Sequence, residues 1–104
     1  MGFFQKLFGL KPPVDLSDLI QNKKAYVVDV RSPAEFKSGH VKGSVNIPLQ
    51  NIGSSVAKLK SKEPIVVCCA SGNRSGQAAS ILKGQGIAQV YNGGSWRTVN
   101  KHVK

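Results

Sequence analysis

Residues 66–80 read VVCCASGNRSGQAAS: a β-branched apolar segment, two adjacent cysteines, a glycine-containing loop and a run of small residues. With Pro64 and Ile65 before it, the apolar part has the length and composition of a buried strand, and Ser75 to about Lys83 reads as a helix. Strand, tight loop and helix in that order form half of a parallel crossover unit, so this stretch decides the fold class. The alternation recurs on both sides. AYVVDV (25–30) is a second continuous apolar strand, and SPAEF (32–36) opens a helix, with Ser32 as N-cap, Pro33 in the first turn and Glu35 closing a capping box. AQVY (88–91) is a third strand and GSWRTVNKHV (94–103) a final helix. Short helices are expected over 16–21 and about 50–60, with VKGSVNIP (41–48) extended between them. Valine- and isoleucine-rich strands alternating with helices predict an α/β three-layer domain, a mainly parallel sheet with helices on both faces.

The 104 residues make one domain, and 40% hydrophobic with 19% charged residues describe a soluble globular chain rather than a disordered one. Residues 14–104 are assigned to this domain and 1–13 to an apolar N-terminal extension. In that extension Phe3, Phe4, Leu7 and Phe8 recur at helical spacing over 2–9. Lys6 and Gly9 interrupt it too early for a signal peptide or a spanning helix, which leaves a cap on the domain's own core or a peripheral membrane or partner contact. Two neighbouring cysteines cannot staple a fold, so a reducing, cytoplasmic setting is expected. The formal charge of +10 attracts anions. Its lysines are dispersed without interleaved aromatics, so no nucleic-acid partner is expected, and the chain is read as a monomer.

The loop carries the chemistry. Thiolate is the reactive form of cysteine, and lowering a thiol pKa by about two units takes roughly 2.7 kcal/mol. A helix N-terminus supplies only about 0.3–1 kcal/mol, so several converging N–H groups and a cation are required. The main-chain N–H groups of Ala70, Ser71, Gly72, Asn73 and Arg74 are the candidates for that cradle, with Gly72 giving the backbone freedom for a tight wrap. Arg74 is the candidate cation, or the clamp for an anionic substrate. Cys69 is assigned as nucleophile. Cys68, one residue back on a strand whose side chains alternate, is assigned to the core. A phosphate-binding Walker loop fails for want of lysine in GNRSGQ, and no zinc-ligand spacing links the cysteines with His40 and His102. His40, in a turn, is read as structural, with a Cys–His hydrolytic pair as the alternative.

Three segments in order, VVDVRSPAEFKSGHVKGSVNIPL, IVVCCASGNRSGQAASIL and VYNGGSW, resemble the landmarks of single-domain rhodaneses, the rhodanese-like sulfurtransferase family, over about Val14 to Val99. The resemblance implies that Cys69 takes sulfur from a donor such as thiosulfate as a persulfide and passes it to cyanide or a protein thiol, in two covalent steps without metal or organic cofactor. It also implies that four residues between cysteine and arginine mark sulfur transfer and five mark phosphatase relatives. Cys69 to Arg74 gives four, whereas counting from Cys68 gives five. The length of strand IVVC favours Cys69. Asp29 and Arg31 are expected to pair beneath the loop, with Glu35 as a further partner of Arg31 and Ser75 in support. Trp96 reads as core or rim, and Arg97 is left open between the mouth and a solvated face. The alternatives are a persulfide relay or binding module with little thiosulfate turnover, and phosphatase or arsenate chemistry at the same loop.

Overall fold

The computed structural model describes residues 15–103. The extension 1–13, with the short helix expected over 2–9, lies outside them. A π-helical turn, Asp18–Asn22, leads into β1 (Tyr26–Asp29), α1 (Pro33–Ser38) and β2 (Val45–Asn46). Two 3-10 turns, Leu49–Asn51 and Gly53–Ser55, run into α2 (Val56–Lys60), followed by β3 (Ile65–Cys69), α3 (Asn73–Gly84), β4 (Val90–Ser95) and α4 (Trp96–Asn100). The four strands lie in the order β2-β1-β3-β4, and every neighbouring pair is parallel. This is the α/β three-layer architecture expected from the alternation of apolar strands and helices. The chain moves from β1 to one edge and then returns to β1's other side. The carboxyl ends of β1 and β3 therefore flank the topological switch point, where open α/β sheets place their sites.

The pleat divides the core. Ile65, Val67 and Cys69 of β3 join Val28, Val30, Ala78, Leu82 and Val90 on the face covered by α2 and α3. Val66 and Cys68 join Leu19, Val27 and Val99 on the opposite face, beneath the π-helical turn and α4. The two cysteines thus belong to different layers.

Several expected boundaries shift, and α3 starts at Asn73, two residues before the expected Ser75. VKGSVNIP contains β2, whose Val45 and Asn46 pair with Val28 and Asp29. Two residues are too few to show a strand period, so the segment reads only as extended. The expected helix 50–60 is broken into 3-10 turns, with α2 starting at Val56. The helix near 16–21 runs on to Asn22, where Lys23 N–H closes on Asp18 O at 3.0 Å. The last strand begins at Val90 and continues to Ser95, so α4 starts at Trp96 under a Ser95 cap and is shorter than expected.

Gly93 accounts for that last shift. Val67 pairs with Asn92 and Cys68 with Gly94, leaving Gly93 as the bulged residue between them. A Cβ at Gly93 would stand 2.6 Å from Val99 Cγ2, 2.8 Å from Val66 Cγ1 and 3.3 Å from the Val67 carbonyl oxygen. Glycine is therefore a packing requirement where α4 seats against the sheet. Gly93→Ala is expected to destabilise the domain by about 1–3 kcal/mol, read as a lowered urea midpoint with unchanged slope. An unchanged midpoint would show that α4 can move away freely.

Candidate active site

Cys69 ends β3 with only 1% of its surface exposed. The chain then turns through Gly72, which holds φ 101° as N-cap of α3, a left-handed conformation that a Cβ would strain. That turn brings Gly72 N–H back to donate to Cys69 Sγ at 2.9 Å, while Ser75 Oγ lies 3.3 Å from the same sulfur. Burial opposes ionisation of Cys69. The Ser75 hydroxyl and the main-chain N–H groups of Ser75, Gly72 and Ser71 outweigh it and hold its pKa below the ordinary thiol value. Cys68 meets the reverse conditions. Burial, then the nearby Asp29 charge, push its thiol up to about 12, with Arg31 only partly offsetting them. At neutral pH the doublet therefore has one sulfur suited to carry charge and one held as a neutral thiol.

The cradle is narrower than the expected row of five N–H groups. Ser71, Gly72 and Ser75 favour the sulfur anion, whereas Ala70, Asn73 and Arg74 make no hydrogen bond to the sulfur. Ser75, buried in the first turn of α3, is a direct neighbour of the sulfur rather than a remote support.

Arg74 departs most from its expected place. Its guanidinium forks onto Glu35, Nη1 to Oε1 at 2.7 Å and Nη2 to Oε2 at 3.0 Å, rather than pointing at Cys69. Glu35 is already oriented by the capping box: its Oε1 accepts from Ser32 N–H at 3.1 Å, and its own N–H donates to Ser32 Oγ at 3.3 Å. Arg74 first, and Ser32 N–H second, lower the Glu35 carboxyl to about 2. Glu35 is thus the hydrogen-bonded partner of Arg74, not of Arg31, and the pair ties the first turn of α1 to the first turn of α3.

Asp29 and Arg31 do pair, but on the Cys68 face of the sheet. Asp29 alternates with Val28 and Val30, so it shares its face with Val27 and lies opposite Cys68 in the β1–β3 register. Arg31 is 4% exposed and grips the carboxylate through Nε at 2.9 Å to each oxygen and Nη2 at 2.6 Å to Oδ2. The same Nη2 donates to Gly39 O at 2.7 Å, and the guanidinium lies 4.9 Å over the Trp96 ring. Trp96 is a half-buried wall with Arg97 on it at 4.8 Å, and Arg97 is exposed. His40 Nδ1 lies 2.7 Å from Phe36 O, and its ring stacks on Phe36, the structural reading.

Asn92 was not singled out from the sequence. Its Oδ1 accepts from Ser75 Oγ at 2.6 Å and from Gly94 N–H at 2.9 Å, and its Nδ2 donates to Gly72 O at 3.1 Å. A period of two from the buried Val90 places Asn92 on the Cys69 face, a signal that lies within VYNGGSW.

Two outcomes follow for the ion pairs. Arg31→Leu leaves Asp29 buried without its partner and is expected to cost about 3–5 kcal/mol, read by urea denaturation; a loss within the range of ordinary surface substitutions would show that Asp29 finds another partner. Glu35 ionises at about 2 in the folded chain and near ~4.3 when unfolded. Its contribution is therefore complete above the unfolded value and disappears as pH falls through the folded one. Glu35→Gln should melt below wild type at neutral pH, with the two Tm curves converging toward pH ~2; parallel curves would contradict this linkage.

Residues 12–97 match the model of the rhodanese-like domain. The chain is 37% identical over 90 residues to the thiosulfate sulfurtransferase GlpE of Pseudomonas syringae pv. syringae, covering 83% of this chain and 85% of that relative. It is also 37% identical over 70 residues to the uncharacterized protein YqhL of Bacillus subtilis, a match covering 67% of this chain and 56% of that longer relative. Among solved structures, a rhodanese with anions from E. coli superposes with a TM-score of 0.67 at 33% identity, over 71% of this chain and 89% of that one. The human single-domain sulfurtransferase TSTD1 superposes at 0.68 and 26% identity, over 80% and 87%. In sequence and in fold alike, this chain belongs to the rhodanese-like domain family.

Proposed function

We propose that this protein is a thiosulfate-type sulfurtransferase with Cys69 as the sulfur carrier. The observation that carries the reading is a buried Cys69 sulfur facing Gly72 N–H and the Ser75 hydroxyl at the carboxyl end of β3. The Cys69 thiolate attacks the outer sulfur of thiosulfate. A new S–S bond forms, the original S–S bond breaks, and sulfite leaves with the bonding electron pair. An acceptor such as cyanide or a thiolate then attacks the terminal persulfide sulfur, and the electron pair of the broken bond returns to Cys69. No net oxidation occurs, and the two half-reactions give ping-pong kinetics. The dipoles that favour the thiolate also favour the persulfide anion, whose single negative charge lies one S–S bond further out on the same loop.

Thiosulfate turnover is also the activity named for the Pseudomonas relative. Counting four residues from Cys69 to Arg74 supports sulfur over phosphate. Among the described residues both cysteines are free, which suits a reducing compartment such as the cytoplasm, and no helix is long and apolar enough to cross a membrane.

The test is intact-mass detection of one added sulfur after incubation with thiosulfate, together with thiocyanate formation from cyanide. Wild type and Cys68→Ala are expected to load and turn over. Cys69→Ala should do neither, its thiocyanate production falling to the uncatalysed background. Loading of Cys69→Ala, with loss in Cys68→Ala, would reverse the assignment. Loading without turnover would favour a relay that receives its sulfur from and gives it to protein thiols, and aryl-phosphate hydrolysis without sulfur loading would replace both readings.

A further inference from the structure

Three polar atoms form a chain across the mouth of the loop: Cys69 Sγ, Ser75 Oγ at 3.3 Å from it, and Asn92 Oδ1 at 2.6 Å from Ser75 Oγ. The serine hydroxyl has a single proton to give. Asn92 cannot supply one in return. Gly94 N–H donates to its Oδ1, and its Nδ2 donates to Gly72 O, so the amide is pinned with its acceptor toward Ser75. We propose that the Ser75 hydroxyl is a two-position switch between Cys69 and Asn92, which makes Asn92 a positioning residue that sets the thiol–thiolate balance of Cys69.

The inference rests on Cys69 working as an anion, as the proposed function requires. When Cys69 is a thiol, its S–H donates to Ser75 Oγ and the Ser75 hydroxyl donates to Asn92. When the thiol proton leaves to water or a buffer base, the Ser75 hydroxyl turns to the sulfur. Ser75 Oγ and Asn92 Oδ1 then face each other with no proton between them, an unfavourable contact of two acceptors. The anion is stabilised by Ser75 at the expense of the Ser75–Asn92 bond. Asn92 thus moderates a thiolate that the Gly72 and Ser75 N–H groups would otherwise favour more strongly. The same amide holds Gly72, the residue whose N–H faces the sulfur, so hydroxyl and loop are set by one side chain.

The other groups around Cys69 leave this contact to act. Arg74 of α3 is forked onto Glu35 of α1, and Cys68 points to the opposite face, as does the Asp29–Arg31 pair. Ile52 and, from α2, Leu59 enter the Cys69 face as apolar side chains, and from β4 the residue that reaches the loop is the neutral Asn92.

The experiment follows the Cys69 Cβ carbon NMR shift against pH in cysteine-labelled wild type, Asn92→Ala, Ser75→Ala and the double variant. Asn92 is exposed, so water replaces the lost amide, and water can turn a proton toward Ser75 as the pinned oxygen cannot. Removing Asn92 is therefore expected to raise the Cys69 acid constant about three- to ten-fold more in the presence of Ser75 than in its absence, a midpoint difference of roughly half to one pH unit. Equal shifts in both backgrounds, which a purely structural Asn92 would give, overturn the proposal, as does a coupling of opposite sign. Asn92→Asp keeps the acceptor and adds charge, so its midpoint should rise above wild type, and a fall would also overturn the proposal. The readout is protonation and not sulfur transfer, so it stands or fails independently of thiosulfate turnover.

Discussion

A sulfur with 1% of its residue's surface exposed can bear charge only where donors converge on it, and the end of β3 is organised by that requirement. Gly72 takes the left-handed conformation that turns its N–H inward, and Ser75 follows one helical turn later with both a hydroxyl and an N–H. Gly76 keeps the next position small. A Cβ there would lie 3.3 Å from Asn92 Nδ2, so bulk at the first turn of α3 would press on the amide that orients Ser75 and Gly72. The helix start, the bulge at Gly93 and the Asn92 amide are parts of one arrangement around a single sulfur.

The pleat does the rest of the discrimination. Adjacent cysteines have the same intrinsic chemistry, but successive strand residues face opposite layers. Cys69 points to the side where the loop closes back, and Cys68 to the side where Asp29 and Arg31 are locked together. Moving the loop by one residue would exchange the two environments, giving the position facing Gly72 and Ser75 to the sulfur now held near 12. The assignment of roles in the doublet is therefore a statement about strand register.

What was legible in the sequence follows the range of the interaction. The strand at Ile65–Cys69, the cap at Ser32 and the glycine turn before α3 depend on neighbours within a few residues, and each appears where local pattern puts it. Arg74 was expected at the sulfur because it is five residues from Cys69, yet its strongest partner, Glu35, is 39 residues away and sits on another helix. Asn92 meets Ser75 across 17 residues of sequence, through a strand whose bulge shifts the register by one. Local pattern carries no information about such a meeting until the sheet order is known. The β2 strand is not legible in local pattern for a different reason: its two residues are defined by pairing with β1 and not by any periodicity of their own.

The Arg74–Glu35 pair also bears on which anion the loop suits. An arginine five positions from the β3 end invites the view that it grips an oxyanion directly, as a bidentate fork does for phosphate. Here each guanidinium nitrogen in the fork already meets a carboxylate oxygen, and Glu35 remains ionised far into the acid range because of it. The pair carries no net charge, so any doubly charged tetrahedral anion, thiosulfate as much as phosphate, would gain from Arg74 only if this half-exposed fork first opened. A thiolate or persulfide brings one charge and needs no fork; dipoles from N–H groups and one hydroxyl are matched to it. The clasp leaves the loop dependent on those dipoles, and the bond from Ser75 to Asn92 is then the contact through which their strength is adjusted.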